Sequence, residues 1–271
     1  MSEKKIVVVR GGGDLASGVI HRLYRCGYRV LVLESPNPSA IRRMVSFCEA
    51  VYDGEAFVEG VLSCLAKDLS QCQEIWERRE IPVLVDPEGK SIDTLKKEGR
   101  LLALVDAILA KKNLGTRRDM APFTIALGPG FCAGDDVDVV IETMRGHDLG
   151  RIIEEGWAVP NTGIPGIVGG VGSERVIHSP CAGTIKNEAK IADLVTEGQV
   201  IAKVGDTPIP ASLTGVLRGL IRDGYAVYEG MKIADIDPRK EEKENCYTIS
   251  DKARCIGGGV LEALLSQGLL P

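Results

Sequence analysis

Shifted against itself by 32 residues without gaps, the chain lays SPCAGTIK (179–186) over ASLTGVLR (211–218) and TEGQVIAKV (196–204) over YEGMKIADI (228–236). Gly183 meets Gly215, while Glu197, Gly198, Ile201 and Ala202 meet Glu229, Gly230, Ile233 and Ala234. Each half carries short strand patterns punctuated by turn glycines, so one supersecondary unit has been used twice. A duplication of this kind restricts the segment to a compact all-β body made of two similar, hairpin-rich halves.

Those halves resemble the lipoyl and biotinyl carrier domains, whose barrel-sandwich hybrid fold presents a modified lysine on the tight turn between two such units. Here the junction reads KVGDTPIPAS, and only Gly205, Asp206, Thr207 and Pro208 occupy the turn. The MKI of 231–233 looks like a biotin motif, but it aligns with the QVI of the first half and so falls on the wrong strand. The expectation is a carrier fold without its lysine, bearing neither lipoate nor biotin.

The N-terminal part follows different rules. KKIVVVR is a strand bounded by glycines, and the helix after it places Leu15, Val19, Leu23 and Cys26 on one apolar stripe, with His21 off it. GYRVLVLE supplies a second strand that ends in Glu34. Between strand and helix lies RGGGDLASG, in which Gly11, Gly13 and Ala16 match G-x-G-x-x-A, with Gly12 between the glycines. In that fingerprint the first glycine allows the turn, the second admits a pyrophosphate, and the small third residue lets helix meet strand. Glu34 stands where a carboxylate accepts from ribose hydroxyls. Asp14 works against a phosphate, because a carboxylate at the helix N-terminus satisfies the N–H groups that an anion would use. Arg42 and Arg43 read either as a phosphate receiver or as a solvated helix face. REIPVLVDP (79–87) is a buried strand, SIDTLKKEGR a short helix, and LLALVDAILAKKN a further apolar strand or helix. Alternation of this kind points to a parallel sheet covered on both faces.

Composition narrows the function. The formal net charge of −5 over 271 residues, with both signs dispersed, forms no basic stripe for a nucleic acid. No apolar run approaches a membrane span, and MSEKKIVVV enters a strand with no hydrophobic leader, so a cytoplasmic location is expected. The eight cysteines include no C-x-x-C pair and read as reduced thiols; Cys132 and Cys181 read either as ligands of a sulfur or selenium intermediate or, as lone cysteines more often are, as small buried hydrophobes. The three histidines are far apart, so no metal site is expected.

Taken together, VVVRGGGDLASG, EAVYDGEAFVEGV, TIALGPGFCAGDDVDVVIETMRGHDLGR and the lysine-less repeat resemble the YqeB family over essentially the whole chain. That family is associated with selenium-dependent molybdenum hydroxylases, and its Rossmann-like part is similar to the XdhC/CoxI maturation factors. The resemblance implies an accessory or maturation factor whose partners are a molybdenum hydroxylase and a nucleotide-bearing small molecule, either a dinucleotide or a molybdopterin-type cofactor. It carries over no catalytic residue. Two other functions stay open: an NAD(P)-dependent oxidoreductase, which the loop and Glu34 favour but which lacks a proton donor in sequence, and a non-catalytic scaffold.

The densest polar stretch, 127–151, gathers Asp135, Asp136, Asp138, Glu142, Arg145 and His147 among glycines. Strands joined by polar turns would use the same residues; alternatively Arg145, with His147 nearby, holds an anion at a domain junction, facing Gly11 and Gly13. At the end of the chain the triple glycine 257–259 reads as a flexible joint before a helix striped with Val260, Leu261, Leu264 and Leu265. The expected architecture is an α/β Rossmann-like domain (1–112) plus a smaller all-β barrel-sandwich hybrid domain (173–238). A linking segment with added strands (113–172) joins them, and a helical segment (239–271) closes the chain.

Overall fold

The computed structural model describes residues 5–163 and 166–271, so the opening MSEK lies outside it. The described residues divide into two compact units: 5–38, 46–161 and 249–271 form the first, and 39–45 with 162–163 and 166–248 form the second.

The first unit is built on β1 (Ile6–Arg10), β2 (Arg29–Glu34), β3 (Glu55–Val58), β4 (Val61–Ala66), β5 (Ile81–Val85), β6 (Leu101–Asp106), β7 (Thr124–Leu127), β9 (Val139–Ile141) and β10 (Ile152–Ile153); β8 (Cys132–Ala133) pairs separately with β11 (Gly156–Trp157). The nine strands form one sheet in the order β10-β9-β7-β6-β1-β2-β5-β4-β3. Pairing is parallel except at the two edges, β3 on β4 and β10 on β9. Within 113–161, read from sequence as a linking segment with added strands, β7, β9 and β10 extend the large sheet. The apolar segment left open as strand or helix is the strand β6.

Strands buried on both faces are nearly continuous apolar runs, and Ile6, Val7, Val8 and Val9 of β1 are all fully buried. Ile6, Val8, Leu31, Leu33 and Leu104 share one core with Cys72 and Ile75 of α3 (Leu69–Glu77) and Ile92 and Leu95 of α4 (Lys90–Lys97). A single-turn helix, α2 (Ala50–Asp53), sits between β2 and β3. The alternate residues Val7, Val9, Val30 and Val32 face the opposite side by the two-residue period of a strand, the side of α1 (Asp14–Arg25). The buried stripe of α1 is Ala16, Val19, Ile20 and Leu23, rotated from the expected one: Leu15 is half-buried and Cys26 is exposed.

The triple glycine is not a joint. It lies inside α5 (Asp251–Ser266), whose N-cap Ser250 accepts from the Ala253 N–H. Intrinsic propensity disfavours glycine in a helix by about 1 kcal/mol, but here close approach overrides it. A Cβ on Gly257 would lie 2.6 Å from the Gly18 carbonyl oxygen, one on Gly18 would lie 2.3 Å from that of Ala253, and one on Gly259 would lie 2.2 Å from that of Gly150. Helices α1 and α5 thus touch backbone to backbone. They run in the same direction: Asp251 at the start of α5 binds Arg145 just past β9, while Leu269 beyond its end accepts from the Tyr28 hydroxyl just before β2.

The second unit contains β12 (Val176–His178), β13 (Gly183–Asn187), β14 (Leu194–Val195), β15 (Val200–Val204), β16 (Thr207–Pro210), β17 (Gly215–Leu220), β18 (Ala226–Val227) and β19 (Lys232–Asp237). The strands β13, β14 and β15 recur as β17, β18 and β19 at the 32-residue offset of the sequence repeat. Two four-stranded antiparallel sheets result, β12-β19-β17-β14 and β16-β15-β13-β18. Each half lends its shortest strand to the other, β14 pairing with β17 and β18 with β13. Asp235 of β19 is buried between the guanidinium groups of Arg175 and Arg218. The segment 39–45 belongs to this unit: Ile41 accepts from the Leu220 N–H, Arg43 donates to the Leu220 carbonyl, and Arg42 donates to the carbonyls of Asn245 and Thr248. Arg42 and Arg43 are thus neither phosphate receivers nor a solvated face; they tie down a strap. All eight cysteines are free thiols, and Cys132 and Cys181 are half-buried rather than buried.

Candidate functional site

From β1 the chain proceeds to β2 on one side, while β6, β7 and β9 lie on the other. At such a reversal the connections leaving neighbouring strands diverge and open a crevice beyond their carboxyl ends. The glycine loop sits there. Gly11 takes φ +93° and lies so close to β6 that a Cβ would fall 2.9 Å from the Ala107 carbonyl oxygen. Its N–H donates to the Leu33 carbonyl, and the Gly12 carbonyl accepts from the Cys48 N–H and the Ser17 hydroxyl. Gly13 is the N-cap of α1 with no side-chain cap, and a Cβ on it would meet nothing within 4 Å. Asp14 occupies the first turn, and Ala16 is fully buried against the sheet.

Glu34 is engaged within the protein. One carboxylate oxygen accepts from the Gly12 N–H at 2.8 Å and the other from the Ser35 N–H at 2.7 Å. It laces the end of β2 to the loop and holds the loop's shape.

Beneath the loop lies a polar group that sequence reasoning missed. The Arg10 guanidinium donates to the Thr116 hydroxyl (2.5 Å) and the Pro87 carbonyl (3.1 Å), and the Thr116 hydroxyl donates to Asp106 (2.5 Å). All three side chains are buried, and Arg10 and Asp106 stand 3.7 Å apart. Desolvation pushes the Asp106 carboxyl up from the usual range, against the lowering pull of its hydrogen bonds and of Arg10. The available signal was that each of two otherwise apolar strands, IVVVR and LLALVD, closes on a charged residue.

Beside the loop, α5 begins. Because α1 and α5 run in the same direction, both present their N-terminal, electropositive ends at this edge of the sheet. Lys252 in the first turn of α5 has its amine pulled below the usual range, first by burial and then by Arg145, while Asp14, Glu142 and Asp251 oppose the shift. Glu142 is buried and accepts from the N–H groups of Thr143, Met144 and Val159. Sequence reasoning also missed Lys252, since nothing in ISDKARC sets it apart.

Arg145 and His147 are not a pair facing Gly11 and Gly13 across a domain junction. Arg145 belongs to the first unit, as do the glycines, and its guanidinium is held by both oxygens of Asp251 at 2.8 and 3.0 Å. His147 is exposed and lines a separate cavity together with Arg22 and Arg151. Asp136 caps a turn by accepting from the Cys132 N–H, and Asp138 accepts from the N–H and hydroxyl of Thr124. Among the described residues no group of three His, Cys, Asp or Glu side chains could hold a metal ion, and no helix is long and apolar enough to cross a membrane.

No family model matches the chain. It is similar to solved structures only distantly. One is the product-bound ectoine utilization protein EutE (DoeB) from Ruegeria pomeroyi, with 10% identity, 86% of this chain and 57% of that one covered, and a TM-score of 0.23. Another is an aspartoacylase family protein from Mesorhizobium loti, with 12% identity, 86% and 85% covered, and a TM-score of 0.27. TM-scores this low carry no argument about fold or function. The sequence relationship is much stronger: 54% identity over 264 residues, 97% of this chain, to the uncharacterized protein YqeB of Escherichia coli (strain K12). The chain spans 48% of that relative, about half its length. At this identity the chain is a homologue of YqeB.

Proposed function

We propose that the chain is an accessory module that binds a phosphate-bearing nucleotide cofactor at the glycine loop and serves the maturation of a molybdenum hydroxylase. The observation that carries the binding half is the open N-terminus of α1 at the strand-order reversal, where Gly13 leaves room for a ligand and the α5 N-terminus lies alongside. An anion there meets main-chain N–H groups and two helix ends of favourable sign. Lys252 supplies a cation, and Asp14 limits affinity by charge. The sequence identifies no proton donor for a nicotinamide oxidoreductase, so a binding role is preferred to hydride transfer.

The second unit reads as a lysine-less barrel-sandwich hybrid, a rigid platform without a swinging arm, suited to contacts with a partner protein. The hydroxylase rests on the resemblance to the YqeB family and on nothing in the geometry. Its test is genetic and chemical. Deleting the gene in a host that makes such an enzyme should lower hydroxylase activity and its molybdenum or selenium content. Unchanged activity and metal content on deletion would remove the maturation role while leaving nucleotide binding to stand or fall by calorimetry.

A further inference from the structure

An open cleft of about 620 Å³ lies in the first unit, between the exposed sides of α1 and α5 and the segment 147–152. It falls within the range of about 300–1,000 Å³ usual for small-molecule sites. Arg22 reaches in from α1, Arg254 from α5 and Arg151 from the loop, with His147 at the same wall. Carboxylates position two of the arginines, Asp148 holding Arg151 at 2.8 Å and Glu59 holding Arg254 at 2.5 Å. No carboxylate pairs with Arg22 among the described residues. One acid, Glu262, lines the cavity one turn of α5 beyond Gly258, and Leu149 and Ile152 supply apolar wall.

The floor is the informative part. Gly257 and Gly259 are required by neighbouring backbone, but Gly258 is not: a Cβ there would meet only the Arg22 guanidinium, at 3.7 Å. An interior helical glycine costs about 1 kcal/mol relative to alanine, and no backbone contact accounts for this one. It lines the cavity directly beneath the Arg22 guanidinium, so its missing side chain seats that group against the helix.

We infer that this cavity binds a phosphorylated, hydroxyl-bearing small molecule of the sugar-phosphate type, at a site separate from the glycine loop. Its phosphate takes the planar fork of Arg22 on the side away from Gly258, with Arg151, Arg254 and His147 adding positive potential. A sugar hydroxyl donates to Glu262. Arginine is suited to this task because guanidinium remains charged and matches phosphate with two donors at once.

Cys255 is exposed and lines the cavity, whereas Cys26 is exposed and does not line it, so alkylation of the two thiols gives a local readout with an internal control. Ribose 5-phosphate is the probe, with ribose and inorganic phosphate as separate arms, and labelling by iodoacetamide is followed by peptide mass spectrometry. Ribose 5-phosphate should slow labelling of Cys255 several-fold without affecting Cys26, phosphate should do so more weakly, and ribose not at all. Arg22→Ala should weaken the protection about tenfold or more, as expected for loss of a charge-assisted contact. Gly258→Ala, whose methyl contacts the Arg22 guanidinium, should weaken it as well while leaving the melting temperature unchanged or raised, which separates a displaced arginine from a damaged fold. Gly13→Glu, which fills the glycine loop, should leave the protection intact, so this site and the proposed nucleotide site fail independently. The inference is overturned if millimolar ribose 5-phosphate leaves Cys255 labelling unchanged, or if Arg22→Ala and Gly258→Ala are protected as well as the wild type.

Discussion

Asp106 illustrates how a single buried group ties the loop's foundation to pH. Its carboxyl sits above the ordinary value of 3.8 because burial penalises the anion. An acid raised on folding keeps its proton in the native state at a pH where the unfolded chain has lost it. Its contribution to stability is therefore complete below the unfolded value and is lost as pH rises through the folded one. Chemical denaturation across the range just above the ordinary carboxylate pKa should show this decline, and Asp106→Asn should flatten it while keeping a partner for the Thr116 hydroxyl. An equally steep decline in the variant would assign the slope to other carboxylates. The network was illegible in sequence for a simple reason: Arg10 and Thr116 are separated by 106 residues and meet only because β1 pairs with β6. The same distance hid the partner of Arg145, which reads as a free anion ligand until α5 brings Asp251 to it. Glycine spacing, by contrast, was readable, because the turn at Gly11 and the open approach at Gly13 are local properties of the chain.

At the level of elements, the packing of α5 depends on missing side chains at Gly18 and Gly257, where it meets α1, and at Gly259, where it meets Gly150. Alanine at Gly257 or Gly259 would place a methyl 2.6 or 2.2 Å from a carbonyl oxygen, and forced overpacking of this kind costs about 1–3 kcal/mol. Each substitution should lower the urea midpoint, in contrast to Gly258→Ala, which gains helix propensity. Equal effects at all three positions would mean that propensity, rather than close approach, governs the helix. Strands β1, β2 and β5 and helices α1 and α4 were legible from periodicity and flanking turns. The beginning of α5 was not, because three consecutive glycines signal a break locally and are reconciled with a helix only by the backbones of Gly18 and Gly150.

Over the whole molecule, the duplication seen at 32 residues survives as strands at the same offset, so a sequence repeat sets the register of the second unit. The strap 39–45 escaped notice because it joins that unit from far away in the chain. The β15–β16 turn carries Gly205 and Asp206, and the nearby Lys203 is engaged by Glu188 at 2.7 Å. Protein isolated from its native host should therefore have an intact mass without a lipoyl or biotinyl increment; such an increment on Lys203 or Lys232 would restore the carrier function.

The claim on which the functional account turns is that the loop at the N-terminus of α1 holds a phosphate. Titration calorimetry of the wild type and Asp14→Asn against adenine and cytosine nucleotides tests it directly. Removing the carboxylate beside a site for an anion should tighten binding by a few-fold, in keeping with about 0.3–1 kcal/mol for a charge at a helix end. Saturable binding that strengthens in Asp14→Asn is the predicted result. No saturable binding by either protein would make the glycine loop a purely structural turn and contradict the account.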